Sequence, residues 1–250
     1  MTQLRFFDAN AMVGRPARPS EESLYEAKDL LREMDDLGIG NAVVYHAAAR
    51  DHDPATGNEL LVQEVKGLPR LRPCYVLLPT ATGEMGRLEG IERVLKKHDV
   101  RIVRLFPGVH DYRPSPWLLE DLFGLLGTLR VPVILEDDTV TQDELHSLLA
   151  SFPAVNILFA QRLFPSRYAY RLLEKFANLS VGTWSVGMHR GVEDIVRRFG
   201  PERLVFGTRL PEYAAGGYVM RVTHADIPDE AKQMIAERNL LRLMRLDGAR

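Results

Sequence analysis

The chain has 250 residues, 46% of them apolar and 26% charged, with a formal net charge of −2. That length supports one large core or two small ones, and the near-neutral balance supplies no basic field for nucleic acid. A lone cysteine, Cys74, excludes an intramolecular disulfide and fits a reducing, cytoplasmic setting. No apolar run approaches the ~18 residues of a membrane span, and Arg5 interrupts any signal-peptide stretch.

Short β-rich runs alternate with helical patterns along the chain. A first strand is expected at 4–7 and a second at 42–45. Between them, Leu24, Ala27, Leu30, Leu31, Met34 and Leu37 recur at helical spacing over 21–37, with Ser20 and Ser23 as candidate caps. Strand 72–77 precedes a helical pattern over 87–98, and strands at 102–106 and 133–135 follow. "TQDELHSLL", 141–149, opens with Thr141 and an acid three residues on, a capping-box pattern. Strands at 156–159, 179–182 and 204–206 alternate with "PSRYAYRLLEKFAN" and "GVEDIVRRFG", and a long helical stretch over about 228–245 ends the series. The segments 46–58 and 107–116, rich in Asp, Pro and Gly, read as loops.

Runs such as "NAVVYH", "PVILED" and "VNILFA" are nearly continuous in apolar residues, as in strands buried on both faces. Eight such strands, each followed by a helical segment, predict one α/β domain over 1–250, a (β/α)8 TIM barrel. An open doubly wound sheet is the rival. It calls for a Gly-rich phosphate turn after the first strand, and "NAMVGRP" is not one.

In a barrel, function gathers just past the C-terminal ends of the strands. The residues expected there are Asp8 and Asn10, Tyr45 and His46, Tyr75, Arg104, Glu136 and Asp137, Gln161 and Arg162, Thr183 and Trp184, Thr208 and Arg209. Such polar groups must pair or face a cavity, because burying them unpaired costs several kcal/mol each. His46, with a pKa near neutrality, and Glu136, if burial raises its pKa, are the candidate proton-transfer groups. Asn10, Arg104, Asp137, Gln161, Arg162, Trp184 and Arg209 are the candidate binding groups. Cys74, inside an apolar strand, reads as a small buried hydrophobe. No HExxH, GxSxG or Walker pattern occurs.

"FFDANAMVG" resembles the opening strand of the amidohydrolase-related (amidohydrolase 2-like) family of metal-dependent hydrolases and decarboxylases, usually Asp-x-His-x-His followed by a small residue and Gly. "RIVRLFPG" resembles its fourth-strand signature, "GPERLVFGTRLP" its last-strand signature, and "IPDEAKQMIAERNLLRLM" its closing helix. The resemblance implies a TIM barrel with a divalent metal and the hydroxide bound to it. Yet the family's two opening histidines fall on Asn10 and Met12, its later histidines near Glu136 and Gln161, and its last-strand aspartate on Arg209. Zinc takes three or four N, S or O ligands at ~2 Å, and an arginine among them repels the cation. The expectation is therefore no metal and no cofactor.

Arg104, Arg162 and Arg209 could pair with Glu136 and Asp137 in a salt-bridge network filling the metal's place, or clamp a carboxylate. Two functions follow as expectations. One is a metal-independent hydrolase or lyase acting on a small anionic, carboxylate-bearing molecule. The other is a catalytically inactive relative that binds a small ligand or a partner protein. A metal held through Glu136, Asp137 and His46 is a third. No nucleic-acid or membrane partner is expected, and the resemblance suggests a homodimer.

Overall fold

The apolar runs become parallel strands because both of their faces are covered. The computed structural model describes residues 4–20, 24–136, 138–160 and 167–247. Its strands are β1 (Phe6–Val13), β2 (Ile39–His46), β3 (Leu71–Pro73), β4 (Tyr75–Val76), β5 (Val103–Leu105), β6 (Val133–Glu136), β7 (Ile157–Ala160), β8 (Leu179–Gly182) and β9 (Leu204–Val205). They pair in the order β1-β2-β3 and β4 through β9, and every pair is parallel.

Two seams close this into a barrel. β3 and β4 are halves of one staff, parted at Cys74, whose N–H still donates to Val44 O at 2.8 Å. Past β9, the chain meets β1: Ala9 N–H donates to Phe206 O at 3.0 Å, and Met12 N–H to Leu210 O at 2.8 Å. The result is a (β/α)8 barrel. Its helices include Ala27–Asp36, Pro54–Glu64, Leu88–Lys97, Pro116–Leu129, Gln142–Ser151, Arg167–Lys175 and Gly191–Phe199.

Alternation along each strand feeds two apolar layers. Leu77, Val103, Leu105 and Leu135 face outward among helix residues such as Ile91, Leu122 and Leu148. Phe7, Val43, Val76, Ile134, Leu158 and Val205 fill the inside. Among the described residues, no helix is long and apolar enough to cross a membrane.

Three local expectations are corrected. β1 runs to Val13, so Asp8 and Asn10 lie within it rather than past its end. Their polarity does not stop the strand because each is paired inside the fold. The segment 46–58 is not a loop but holds the helix Ala47–Asp51 and the start of Pro54–Glu64. Its Asp and Pro are helix-start residues: Asp53 accepts from Thr56 N–H at 2.7 Å, and Pro54 sits in the first turn. The first helix opens at Ala27 behind Glu26, not behind Ser20, whose N–H donates to the Tyr25 hydroxyl at 2.6 Å; Ser23 is outside the described residues. The capping box is present, with Glu144 N–H donating to Thr141 Oγ1 at 3.2 Å and Thr141 N–H to Glu144 Oε2 at 2.7 Å.

Candidate functional site

The C-terminal mouth of the barrel holds a cavity of about 590 Å³. Glu136, the last residue of β6, is its hub. Oε2 accepts from Asn10 Nδ2 at 2.9 Å and from Arg104 Nη1 at 2.9 Å. Oε1 accepts from Trp184 Nε1 at 3.1 Å and lies 3.2 Å from Arg209 Nε. Two cations and two neutral donors therefore converge on one carboxylate.

Each partner is set by its own strand. The register of β1 shifts between Asp8 and Ala11, which breaks the alternation and lets both Asn10 and Met12 face the cavity. Asp8, fully buried, ties this stretch to the last strand end: its Oδ1 accepts from Asn10 N–H at 2.8 Å and Thr208 N–H at 3.0 Å, and its Oδ2 from the Thr208 hydroxyl. Burial pushes the Asp8 carboxyl up to about 6, against the pull of those hydrogen bonds. Arg104, in the middle of β5, is 1% exposed. Its guanidinium lies 4.6 Å from the centre of the Tyr45 ring and 5.5 Å from that of Phe106.

Trp184 follows β8. Its indole is clamped between two glycines, since a Cβ at Gly182 or Gly207 would come within 2.4 Å of the ring. Arg209 has φ +65°. That left-handed turn, with its N–H on Asn10 O at 2.7 Å, swings the side chain back over Glu136. The guanidinium stacks 4.5 Å from the Tyr213 ring centre. Burial opposes its charge, and Glu136, together with Tyr213, Glu212 and Tyr45, more than restores it.

A second charged cluster reaches the same cavity through Arg50 and Glu212. Arg50 Nη1 donates to the Tyr45 hydroxyl at 3.0 Å and to Glu212 Oε1 at 2.8 Å, while its Nε donates to Asp51 Oδ1 at 2.7 Å. Tyr45 joins the two clusters, its ring against Arg104 and its hydroxyl against Arg50.

The structure thus brings Asn10, Arg104, Glu136, Trp184 and Arg209 together. It does not bring His46 to them. The His46 imidazole accepts from Ala48 N–H at 3.1 Å, capping the helix that begins at Ala47, and packs so close to Gly14 that a Cβ there would sit 2.4 Å from the ring. Desolvation holds its pKa below the usual value. Tyr75 also lies elsewhere, in the outer layer beside His98. Cys74 is fully buried. Asp137, Gln161 and Arg162 are outside the described residues. Among those described, no three His, Cys, Asp or Glu side chains are grouped to hold a metal ion.

No protein-family model matches the sequence, and no curated protein matches it. Solved structures do resemble it. An uncharacterised TIM-barrel protein from Bordetella bronchiseptica is 17% identical with a TM-score of 0.75, over 98% of this chain and 100% of that one. A 2,6-dihydroxybenzoate decarboxylase from Rhizobium is 16% identical with a TM-score of 0.75, over 98% and 100%. A 5-carboxyvanillate decarboxylase from Novosphingobium aromaticivorans, with bound manganese and 3-methoxy-4-hydroxy-5-nitrobenzoic acid, is 12% identical with a TM-score of 0.79, over 97% of both chains. The shared architecture is the TIM barrel.

Within that barrel, the cluster around Arg50 is what sequence reasoning missed. Arg50 stood in a segment read as a loop, and Glu212 and Tyr213 lay beyond the last expected strand. The Arg-Asp pair at 50–51 was the only local signal. Tyr45 stood among the expected strand-end residues, but nothing in sequence set it apart from them.

Proposed function

We propose that the barrel mouth binds a small aromatic carboxylate and that Arg209 is its anchor. The observation that carries this reading is the Arg209 guanidinium. It is 31% exposed at the cavity, and its terminal nitrogens make no hydrogen bond among the described residues. An arginine fork with free N–H groups is suited to a carboxylate in bidentate fashion. Around it, Tyr45, Phe106, Trp184, Tyr213 and Tyr218 line a cavity wide enough for one aromatic ring and its substituents. The two decarboxylases of the same fold are named for aromatic carboxylates.

Manganese, bound in one of those structures, does not fit the residues described here. The one carboxylate at the hub already receives two N–H donors on one oxygen, with an N–H donor and a guanidinium on the other. Two guanidiniums beside it would repel a divalent cation, and Asn10 and Met12 are poor ligands for it. In this reading Glu136 supplies the internal counter-charge that positions Arg209, and the chain belongs to a divergent, metal-free branch of the amidohydrolase-related barrels. Binding is favoured over proton transfer because Glu136 is engaged on both oxygens and His46 lies outside the cavity. A hydrolase or lyase acting without metal is the second reading, favoured by the decarboxylase neighbours.

The test is titration calorimetry with benzoate on the wild type and Arg209→Ala, with elemental analysis of protein purified without chelator. A charge-assisted bidentate contact predicts a loss of about ten- to a hundredfold in affinity. Equal affinity of the two proteins, or a stoichiometric divalent metal in the wild type, would overturn the proposal. Product formation from a panel of aromatic carboxylates, absent in Arg209→Ala, would establish the second reading.

A further inference from the structure

The Tyr45 hydroxyl is half-used. Its oxygen accepts from Arg50 Nη1, but its hydrogen has no acceptor among the described residues. The side chain is 3% exposed, and it lines the cavity. A buried hydroxyl without an acceptor forfeits a hydrogen bond that a ligand can supply. The donor is held still from two sides, with Arg104 against the ring and Arg50 against the oxygen. Burial raises the phenol's pKa, so it keeps its proton at neutral pH.

The charges around the cavity are uneven. On the Glu136 side, two guanidiniums, Arg104 and Arg209, face one carboxylate. On the Arg50 side, one guanidinium faces two carboxylates, Asp51 and Glu212. Asp138 adds a further carboxylate to the cavity wall, and the Arg50 group carries a negative charge in excess. A second carboxylate on the ligand would meet net repulsion at the Arg50 side, whereas a neutral oxygen there finds the Tyr45 donor.

We infer that Tyr45 determines specificity at this site: it donates a hydrogen bond to a neutral oxygen of a monoanionic ligand, while Glu212 at the cavity wall excludes a second negative charge. This rests on the carboxylate-binding reading. It narrows the ligand to a monocarboxylate that carries a hydroxyl, ether or carbonyl oxygen.

The experiment compares dissociation constants for benzoate, the three hydroxybenzoate isomers and isophthalate, measured by calorimetry on wild type, Tyr45→Phe and Glu212→Gln. In the wild type, at least one hydroxybenzoate binds about tenfold tighter than benzoate, and isophthalate binds more weakly than benzoate. In Tyr45→Phe the ratio of hydroxybenzoate to benzoate affinity falls to within about twofold of unity. In Glu212→Gln the ratio of isophthalate to benzoate affinity rises several-fold. A hydroxyl preference that survives in Tyr45→Phe, or isophthalate binding as tightly as the best hydroxybenzoate, overturns the inference. Should Tyr45→Phe bind nothing, an unchanged isophthalate ratio in Glu212→Gln overturns it alone. If benzoate binding is absent or indifferent to Arg209→Ala, the carboxylate reading itself fails. If benzoate binding depends on Arg209 but the ratios stay put, only the Tyr45 assignment fails.

Discussion

Replacing Glu136 with glutamine keeps the shape of the hub and removes its charge. Arg104, 1% exposed, loses its counter-ion, and one oxygen becomes an amide nitrogen facing other donors. Whichever way the amide turns, it meets either Asn10 and Arg104 or Trp184 and Arg209. Breaking a buried ion pair from one side costs about 3–5 kcal/mol. Glu136 is 16% exposed and Arg209 31%, so water screens part of the loss, and the lower end, about 3 kcal/mol, applies. For a chain of this size that is a fall in Tm of roughly 6–12 °C. Urea unfolding followed by circular dichroism measures it as a lower midpoint at unchanged slope. Arg104→Met in the same chain should recover part of the loss, because an apolar pair of similar volume is often tolerated where an unpaired charge is not. A Glu136→Gln loss below about 1 kcal/mol, the size of an exposed ion pair, would refute the reasoning and return Glu136 to the status of a solvated side chain.

Two further outcomes follow from the same group of residues. Burial lifts Asp8 from the ordinary 3.8 to about 6, so the folded state holds its proton more tightly than the unfolded chain. The corresponding stability is present in full below pH 4 and lost as pH rises through 6, on the order of 3 kcal/mol. Urea unfolding should therefore show Asp8→Asn gaining on the wild type between pH 4 and pH 7, and a gap independent of pH would contradict this. Gly207→Ala drives a methyl to 2.3 Å from the Trp184 ring and must displace the indole from Glu136. In a Trp117→Phe background, which removes the other and 78% exposed tryptophan, Trp184 emission should shift to the red, with about 1–3 kcal/mol of stability lost. Unchanged emission would mean that the glycine clamp does not set the indole's position.

How much of the site could be read in advance differs from residue to residue. Glu136 and Arg209 were legible because each ends an apolar run or follows a glycine turn. Trp184 was legible for the same reason, following β8. His46 was placed correctly at the end of β2 but not in its direction, because the helix opening at Ala47 takes its imidazole as a cap. Asp8 and Asn10 were placed past a strand they belong to, since polarity inside β1 resembles an end until the partners Thr208 and Glu136 are in view. The Asp and Pro of 46–58 signal a loop and a helix start equally well. Only the N–H groups they satisfy tell the two apart.

By itself, the sequence determined the alternation of doubly buried strands with amphipathic helices, and therefore the barrel. It also determined which side-chain types stand at the strand ends. Both are local properties, written in period and apolarity within a few residues. The tertiary structure decided which charges meet. Asn10 and Glu136 are 126 residues apart, and Arg50 and Glu212 are 162 apart. Such pairs exist only once β1 has closed against the end of β9, and their energy depends on distances that no local pattern records.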